Sequence, residues 1–297
     1  MFVPVGERAQ SFKGFTLITP AVSVGNVGQL AADLIISTLD MVRAGHFHTD
    51  CLIPMAGNNP YSREDQDAAL LSTNAEVYWR TDLQLAVLQI RTPILPMKMK
   101  SFRKLLVSWI KASGFSRTVL LSSCHAHQRD DQQLLSSPLR YLLTPALRGR
   151  TEGTEGTLQG LGWREMERVS AFPGLTDSDR QRLYIPGGGV TKALYNDCCS
   201  ENISMAVLLL FCSEGDNVPD AFTLVNHLND WLHLLDKPVS SGLCSMENPV
   251  LLEAAVWKWC SSPDLLNVTE DCKLGRELRR EPQDLDIVPD DEDEARL

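Results

Sequence analysis

The sequence predicts an α/β layered domain in which helices flank a largely parallel central sheet. Short apolar runs alternate with amphipathic segments along the chain, and this alternation is typical of a sheet built from strand–helix–strand units. The most apolar run, residues 203–212, has the length and uniform hydrophobicity of a strand buried on both faces. The 297 residues, of which 43% are apolar and 22% charged, suffice for one such domain with an extension.

Each element is assigned from its own periodicity. In the segments 27–42 and 219–235, apolar residues recur at i, i+3, i+4 and i+7, which predicts amphipathic helices. Gly45 and Gly114 are placed to end helices, and Asn217 is placed to cap the last one. The predicted strands span residues 15–22, 46–54, 74–79, 83–91, 118–122, 182–186 and 203–212. The predicted helices span 27–42, 101–113, a short segment ending at 195, and 219–235, and residues 140–144 are expected to be ordered without a strand or helix being assigned.

The chain is expected to divide into an ordered domain and a charged ending. Residues 151–157 read Thr-Glu-Gly-Thr-Glu-Gly-Thr, which predicts a low-complexity loop inside the domain. After Asp236 the periodicity is lost. We therefore expect an α/β domain over 1–236, an irregular extension over 237–262 that could dock through an apolar helix at 251–259, and a disordered acidic tail over 263–297.

The charge distribution argues against nucleic acid and membrane surfaces as partners. Residues 264–297 carry twelve acidic and five basic residues, whereas the rest carries 26 acidic and 23 basic ones. A nearly neutral body with an acidic tail lacks the basic face that phosphates and anionic lipids require. We also expect no targeting or membrane-spanning segment. The eight cysteines form no C-x-x-C pair, which favours free thiols in a reducing compartment and no metal site built on paired cysteines.

Five motifs in a fixed order resemble the proteasome assembly chaperone 2 family over roughly residues 1–235. They are PAVSVGNVGQL at 20–30, DCLIP at 50–54 with GNNPY at 57–61, RYLLTP at 140–145, IPGGGVTK at 185–192 and SEGDNVPD at 213–220. Five motifs in the same order are far more specific than any one of them.

The resemblance implies a chaperone and not an enzyme, with a nucleoside-phosphorylase-like fold and no cofactor. It implies a heterodimer with proteasome assembly chaperone 1 that binds proteasome α-subunits, promotes α-ring assembly and prevents wrong ring association. It also implies a location in cytoplasm and nucleus. The residues expected to contact partners lie in or beside the motifs, and they are Asn26, Asn58, Asn59, Tyr61, Tyr141, Gly187, Gly188, Gly189 and Tyr195.

The chain departs from the family in two places. The loop at 151–157 matches no family motif, and neither does the ending after Asp236. Chaperones of this group can end in a hydrophobic–Tyr–any tripeptide that inserts into α-ring pockets. Because the end here is Ala295-Arg296-Leu297, insertion by that mode is not expected.

Two glycine-rich turns leave anion binding open. Gly25 and Gly28 flank the start of a helix, where backbone N–H groups can hold an anion. The residues 187–189 are three glycines followed by Lys192, which resembles a phosphate loop. Neither has the spacing of a nucleotide-binding motif, so a tight turn is the simpler interpretation of both.

Metal binding and acid–base catalysis stay open on the same edge of the domain. Cys124, His125 and His127 follow a strand, but no second ligand cluster accompanies them. Glu214 and Asp216 could form an acid/base pair in a hydrolase-like or phosphorylase-like site, or Asp216 could simply begin the next helix. The loops near Ser23, Cys124, Gly187 and Glu214 are expected to share one edge of the sheet. His46 and His48 alternate on a strand and are interpreted as an outward-facing pair.

Overall fold

Four parallel strands form the centre of the main sheet. The computed structural model describes residues 1–6, 11–61, 70–150, 153–170, 181–236 and 238, all within one compact unit, Met1–Leu252. The strands are β1 (Phe2–Pro4), β2 (Thr16–Pro20), β3 (Val42–Phe47), β4 (Ala56–Asn58), β5 (Leu71–Thr73), β6 (Ala75–Arg80), β7 (Leu85–Ile90), β8 (Arg117–His125), β9 (Leu139–Leu143), β10 (Arg164–Glu165), β11 (Arg168–Ser170), β12 (Gln181–Leu183) and β13 (Met205–Cys212). The helices are α1 (Val27–Thr38), α2 (Met99–Ser113), α3 (Asp131–Leu134), α4 (Pro145–Arg150), α5 (Thr154–Gly160), α6 (Thr191–Ser200) and α7 (Val218–Leu232), with 3-10 turns at Val24–Asn26, Pro96–Lys98 and Ala126–Gln128.

The main sheet is mixed, with antiparallel strands on both sides of its parallel centre. Its order is β1-β3-β6-β7-β2-β8-β13-β9-β10. The strands β7, β2, β8 and β13 run parallel, whereas β1, β3, β6 and β9 pair antiparallel with their neighbours toward the centre. The predicted parallel sheet is thus confirmed at the centre but not at the flanks. The link between β6 and β7 is too short for the crossover that a parallel pair needs.

Helices cover both faces of this sheet, as predicted. Side chains of α1 and α7 pack with one set of strand residues, and side chains of α2 and α6 pack with the other set. The strand β13, buried along its whole length, contributes alternate residues to the two cores: Leu208 and Leu210 to one, Val207 and Leu209 to the other. This alternation follows from the two-residue repeat of a strand and fixes its register.

The first helix is shorter than its periodicity predicts. The α1 helix ends at Thr38, Asp40 takes a left-handed conformation with φ 49°, and Val42 already begins β3. The predicted helix end at Val42 and the predicted strand at 46–54 are therefore wrong. Gly45 is not a helix stop: it lies in β3, where a Cβ would approach the Val3 carbonyl oxygen to 2.3 Å. Apolar residues at 41 and 42 fit a helix stripe and a following strand equally well.

The low-complexity segment also differs from its prediction. Of residues 151–157, those from Thr154 onward belong to α5. Leu158 is fully buried and joins the core beneath α1 and α7, so burial of one side chain secures a helix that the glycines alone would disfavour. By contrast, the predicted helix over 101–113 is confirmed, and Gly114 ends it in a left-handed conformation with φ 69°.

The predictions for the chain ending lie outside the described residues. They comprise the extension at 237–262 with its helix at 251–259, and the acidic tail at 263–297. Within the described part of the chain, no helix combines the length and apolarity needed to cross a membrane.

Candidate functional site

The loops that follow the parallel strands meet at one edge of the sheet, as predicted. Ser23 follows β2, and its hydroxyl lies 2.8 Å from that of Ser123 near the end of β8. The backbone N–H of Val24 donates to the Gly187 carbonyl at 2.8 Å, and that of His125 donates to the Pro186 carbonyl at 3.0 Å. The end of β13 joins them, because the thiol of Cys212 contacts the Val24 carbonyl at 3.8 Å. We call this assembly the carboxyl-edge loops.

Close backbone approach holds the carboxyl-edge loops together. Gly189 has φ +55°, and a Cβ there would lie 1.8 Å from the Val22 carbonyl oxygen. Gly28 opens α1 so close to β8 that a Cβ would lie 2.4 Å from the Leu121 carbonyl oxygen. Both glycine motifs therefore serve the tight turns that the simpler interpretation predicts. Lys192 lies exposed in the first turn of α6.

The predicted position of Cys124 and His125 after a strand is wrong, because both lie at the end of β8. Together with His127 they do not assemble a metal site within the described residues. Cys124 is fully buried, and burial raises the pKa of its thiol to about 11. The rings of His125 and His127 lie 4.8 Å apart between centroids. No group of three or more potential metal ligands occurs in the described part of the chain. The second pair of histidines is His46 and His48. His48 is exposed, whereas His46 is half-buried with its Nδ1 atom 3.1 Å from the Thr73 hydroxyl oxygen.

The acidic residues after β13 begin the last helix. Glu214 and Asp216 are exposed, and the carboxylate of Asp216 accepts the backbone N–H of Val218 at 3.1 Å. The predicted cap by Asn217 is absent, because its side chain makes no capping hydrogen bond. Instead the buried Asn217 amide donates to the Ser213 carbonyl at 2.7 Å and to Asp220 at 2.8 Å. Helix initiation thus accounts for Asp216 without catalysis.

A buried polar cluster fixes the GNNPY motif to α1. The Tyr61 hydroxyl donates to the Asp33 carboxylate on α1 and accepts from Arg91 at 2.6 Å. Arg91 pairs with Asp33 at 3.0 Å, and Gln89 also donates to Asp33 at 2.6 Å. Burial raises the pKa of Tyr61 well above its ordinary value, so this hydroxyl stays protonated as the donor.

The sequence analysis did not identify Asp33, Arg91 or Glu76. Glu76 is nearly fully buried in β6 and accepts from Arg43 at 2.9 Å and from the Tyr78 hydroxyl at 2.8 Å. The sequence contains a pattern that could have identified the two carboxylates, because Asp33 and Glu76 lie inside otherwise apolar runs. Charged residues in such runs are almost never buried without a partner.

Two of the three tyrosines that lie in or beside the motifs belong to the core. Tyr141 is 1% exposed and Tyr195 is 6% exposed. The Tyr195 hydroxyl donates to the Leu143 carbonyl at 3.0 Å. The expectation that these two side chains form exposed anchors for a partner is therefore corrected: burial inside the chain occupies them.

The rest of the RYLLTP motif is explained by packing as well. Arg140 has no exposed side-chain surface and pairs with Glu167 at 2.8 Å. Its guanidinium lies over the Phe211 ring of β13, 4.8 Å from the centroid, and the Thr144 hydroxyl donates to the Ile203 carbonyl at 2.7 Å. The contacts with Phe211 and Ile203 attach β9 to β13 and to the turn before it, and the pair with Glu167 attaches β9 to the segment after β10.

The remaining predicted contact residues lie nearer the surface. Asn26, Asn58, Gly187 and Gly189 are exposed, and Asn59 is half-buried with its side chain accepting the backbone N–H of Tyr61 at 3.2 Å. Gly188 is buried. Asn26 and Gly187 lie in the carboxyl-edge loops, whereas Asn58 and Asn59 belong to the segment that contains Tyr61. The structure thus distributes the predicted residues between two areas.

Comparison with known proteins places this arrangement in a family of layered α/β proteins. The sequence profile of the PAC2 family matches residues 17–241. The protein named proteasome assembly chaperone 2 from Danio rerio is 67% identical over 243 residues, covering 82% of this chain and 92% of that protein. The protein of the same name from Homo sapiens is 50% identical over 266 residues, covering 90% and 96%. The chain belongs to the PAC2 family, and its curated relatives carry the name proteasome assembly chaperone 2.

A solved structure shows the same fold. The crystal structure of Pyrococcus furiosus PbaA, described as an archaeal homolog of proteasome-assembly chaperone, aligns with a TM-score of 0.58. The alignment has 18% sequence identity and covers 91% of this chain and 97% of that chain. At this identity the likeness concerns the fold alone.

Proposed function

We propose that this chain is a chaperone of 20S proteasome assembly. It forms a heterodimer with proteasome assembly chaperone 1, binds proteasome α-subunits, promotes α-ring assembly and prevents wrong ring association. The observation that carries the proposal is the 67% identity with a protein named proteasome assembly chaperone 2 over 82% of this chain. The proposed locations are cytoplasm and nucleus, where α-rings would be assembled.

The distribution of the motifs supports a binding role. The buried parts of the motifs, such as Arg140 and Thr144, hold strands and loops in place. The exposed parts include Asn26 and Gly187 in the carboxyl-edge loops and Asn58 in the GNNPY motif. We propose these exposed residues as partner contacts, because firm packing beneath a surface keeps its shape fixed for recognition.

A phosphorylase-like or hydrolase-like enzyme with the same fold is the alternative. The side chains at the carboxyl edge give it little support, because the Cys124 thiol is buried with its pKa raised to about 11 and Asp216 caps a helix. A reactive thiol requires a lowered pKa and access to solvent. The proposed chaperone therefore acts through binding and not through catalysis.

Affinity purification from cells with mass spectrometry tests the proposal. The tagged chain should recover proteasome assembly chaperone 1 and proteasome α-subunits, in excess over the subunits of finished proteasomes. Recovery of neither class, together with turnover of a nucleoside and phosphate by the purified chain, would favour the enzyme.

A further inference from the structure

A basic and partly apolar surface surrounds the start of α2. It consists of Met97, Lys98, Met99, Lys100 and Lys104, and we call it the Met97–Lys104 surface. Met97 is 95% exposed and Met99 is 37% exposed, and Lys100 and Lys104 are exposed as well. The surface lies within residues 83–129, which contain eight lysines and arginines and no acidic residue, although the whole chain has a net charge of −10.

The turn that carries Met97 is fixed to the rest of the domain. The backbone N–H of Leu95 donates to the Cys51 carbonyl at 2.9 Å, and that of Lys98 donates to the Leu95 carbonyl at 2.8 Å. The Lys98 ammonium also donates to the Asp50 carboxylate at 2.6 Å. Met97 is thus a flexible apolar side chain on an ordered backbone, a combination that lowers the entropy cost of binding while allowing varied contacts.

The two exposed lysines of α2 are placed unfavourably for the isolated chain. Arg103 and Lys111 on the same helix pair with Asp197 and Glu201, each at 2.7 Å. Lys100 and Lys104 have no ion pair among the described residues, and they lie one helical turn apart. The first turn of α2 contains no acidic residue. Like charges at i, i+4 and cations near the positive end of a helix both destabilise it.

We propose that the Met97–Lys104 surface binds an acidic segment of a protein, in which carboxylates flank an apolar side chain. The carboxylates would pair with Lys100 and Lys104, and the apolar side chain would contact Met97. Lys100 and Lys104 destabilise the helix in the free chain. Carboxylates of an acidic partner would neutralise their charges and so remove this destabilisation.

The composition of this surface indicates a transient client. An obligate dimer interface is apolar and depleted in lysine, whereas this surface carries three lysines. The inference rests on the proposed function in one respect: the protein that supplies the acidic segment is an α-subunit and not the partner chaperone. Nucleic acid and anionic membranes are less compatible with the net charge of −10.

The test compares Lys100→Glu with a charge-matched control, Lys13→Glu, at an exposed site outside the surface. Each variant is co-purified with proteasome assembly chaperone 1 and used to capture proteasome α-subunits translated in vitro. We expect Lys100→Glu to weaken capture about tenfold and Lys13→Glu to leave it unchanged. The melting temperature of Lys100→Glu should not fall, since a carboxylate at this position would favour the helix start and pair with Lys104.

The outcomes separate the inference from the proposed function. Undiminished capture by Lys100→Glu and by a second variant, Met97→Ser, overturns the inference alone. Wild-type complex that captures no α-subunit overturns the proposed function and the inference with it. Loss of binding to phosphatidylserine vesicles or duplex DNA in Lys100→Glu, with α-subunit capture intact, also overturns the inference.

Discussion

Asp33 on α1 and Arg91 after β7 form a partly buried ion pair beneath Tyr61, with 3.0 Å between Arg91 Nη2 and Asp33 Oδ1. The pair joins a helix, a strand end and a motif segment that are far apart in sequence. The Arg91 side chain is only 4% exposed, so the ion pair with Asp33 helps to compensate a buried charge.

Removing Asp33 should therefore cost much of the stability of the domain. We expect Asp33→Ala to lower the free energy of unfolding by about 3 kcal/mol, because it removes the carboxylate that pairs with Arg91 and accepts from Gln89 and Tyr61. Urea unfolding followed by tryptophan fluorescence measures the change. Asp82→Ala, which removes the exposed partner of Arg80, serves as the control and should leave the free energy of unfolding essentially unchanged.

The double variant Asp33→Ala/Arg91→Met tests the reason for that loss. Since it removes the Arg91 guanidinium together with the carboxylate that pairs with it, the double variant should be more stable than Asp33→Ala alone. A double variant at least as unstable as the single one would contradict this account of the cluster.

Gly189 should tolerate no side chain. A Cβ would lie 1.8 Å from the Val22 carbonyl oxygen, at φ +55°, so Gly189→Ala should destabilise the protein by about 2 kcal/mol or more. Gly57→Ala is the matched control, because a Cβ there meets nothing within 4 Å. Thermal unfolding of both variants measures the difference, and Gly189→Ala should have the lower melting temperature. Equal melting temperatures would mean that the carboxyl-edge loops are not held as closely as described.

Much of this architecture follows from local patterns, and the rest does not. The central strands and α2 were predictable, because a continuous apolar run predicts a buried strand and apolar residues at helical spacing predict a helix. The antiparallel pairing of β3 with β6 and the Asp33–Arg91 pair depend on which distant segments meet, and periodicity carries no such information. Of the predicted site residues, the three tyrosines were the hardest to place, since the same aromatic side chain serves in a core or on a surface: Tyr141 and Tyr195 are core residues and Tyr61 is held in a polar cluster.

Cys198 should make stability depend on pH above neutrality. It is fully buried in α6, and burial raises the pKa of its thiol from 9.0 to about 12. A raised pKa means that the folded state holds the proton more tightly. This contribution is therefore complete below the unfolded pKa of 9.0 and is lost as the pH rises through about 12.

Urea unfolding of the wild type and Cys198→Ala at pH 8, 9 and 10 checks this. The free energy of unfolding should fall more steeply with pH in the wild type than in the variant. Parallel curves would show that the thiol titrates alike in the folded and unfolded chains.

The acidic and histidine residues of the carboxyl-edge loops should be dispensable for activity. Glu214 is exposed, and the proposed chaperone has no catalytic step. We expect Glu214→Ala/His125→Ala to restore proteasome assembly in cells that lack the endogenous protein, as measured by native gels of α-ring intermediates. Failure to restore it, with unchanged folding and unchanged partner binding, would favour the enzyme.

Pairing with a homologous chaperone is the central claim, and size-exclusion chromatography with light scattering tests it most directly. The chain is expressed alone and together with proteasome assembly chaperone 1. We predict that the chain alone self-associates or is poorly soluble, because an obligate interface leaves apolar surface exposed without its partner. Co-expression should yield a stable one-to-one complex. A soluble, stable monomer that does not bind the co-expressed partner at micromolar concentration would contradict the account.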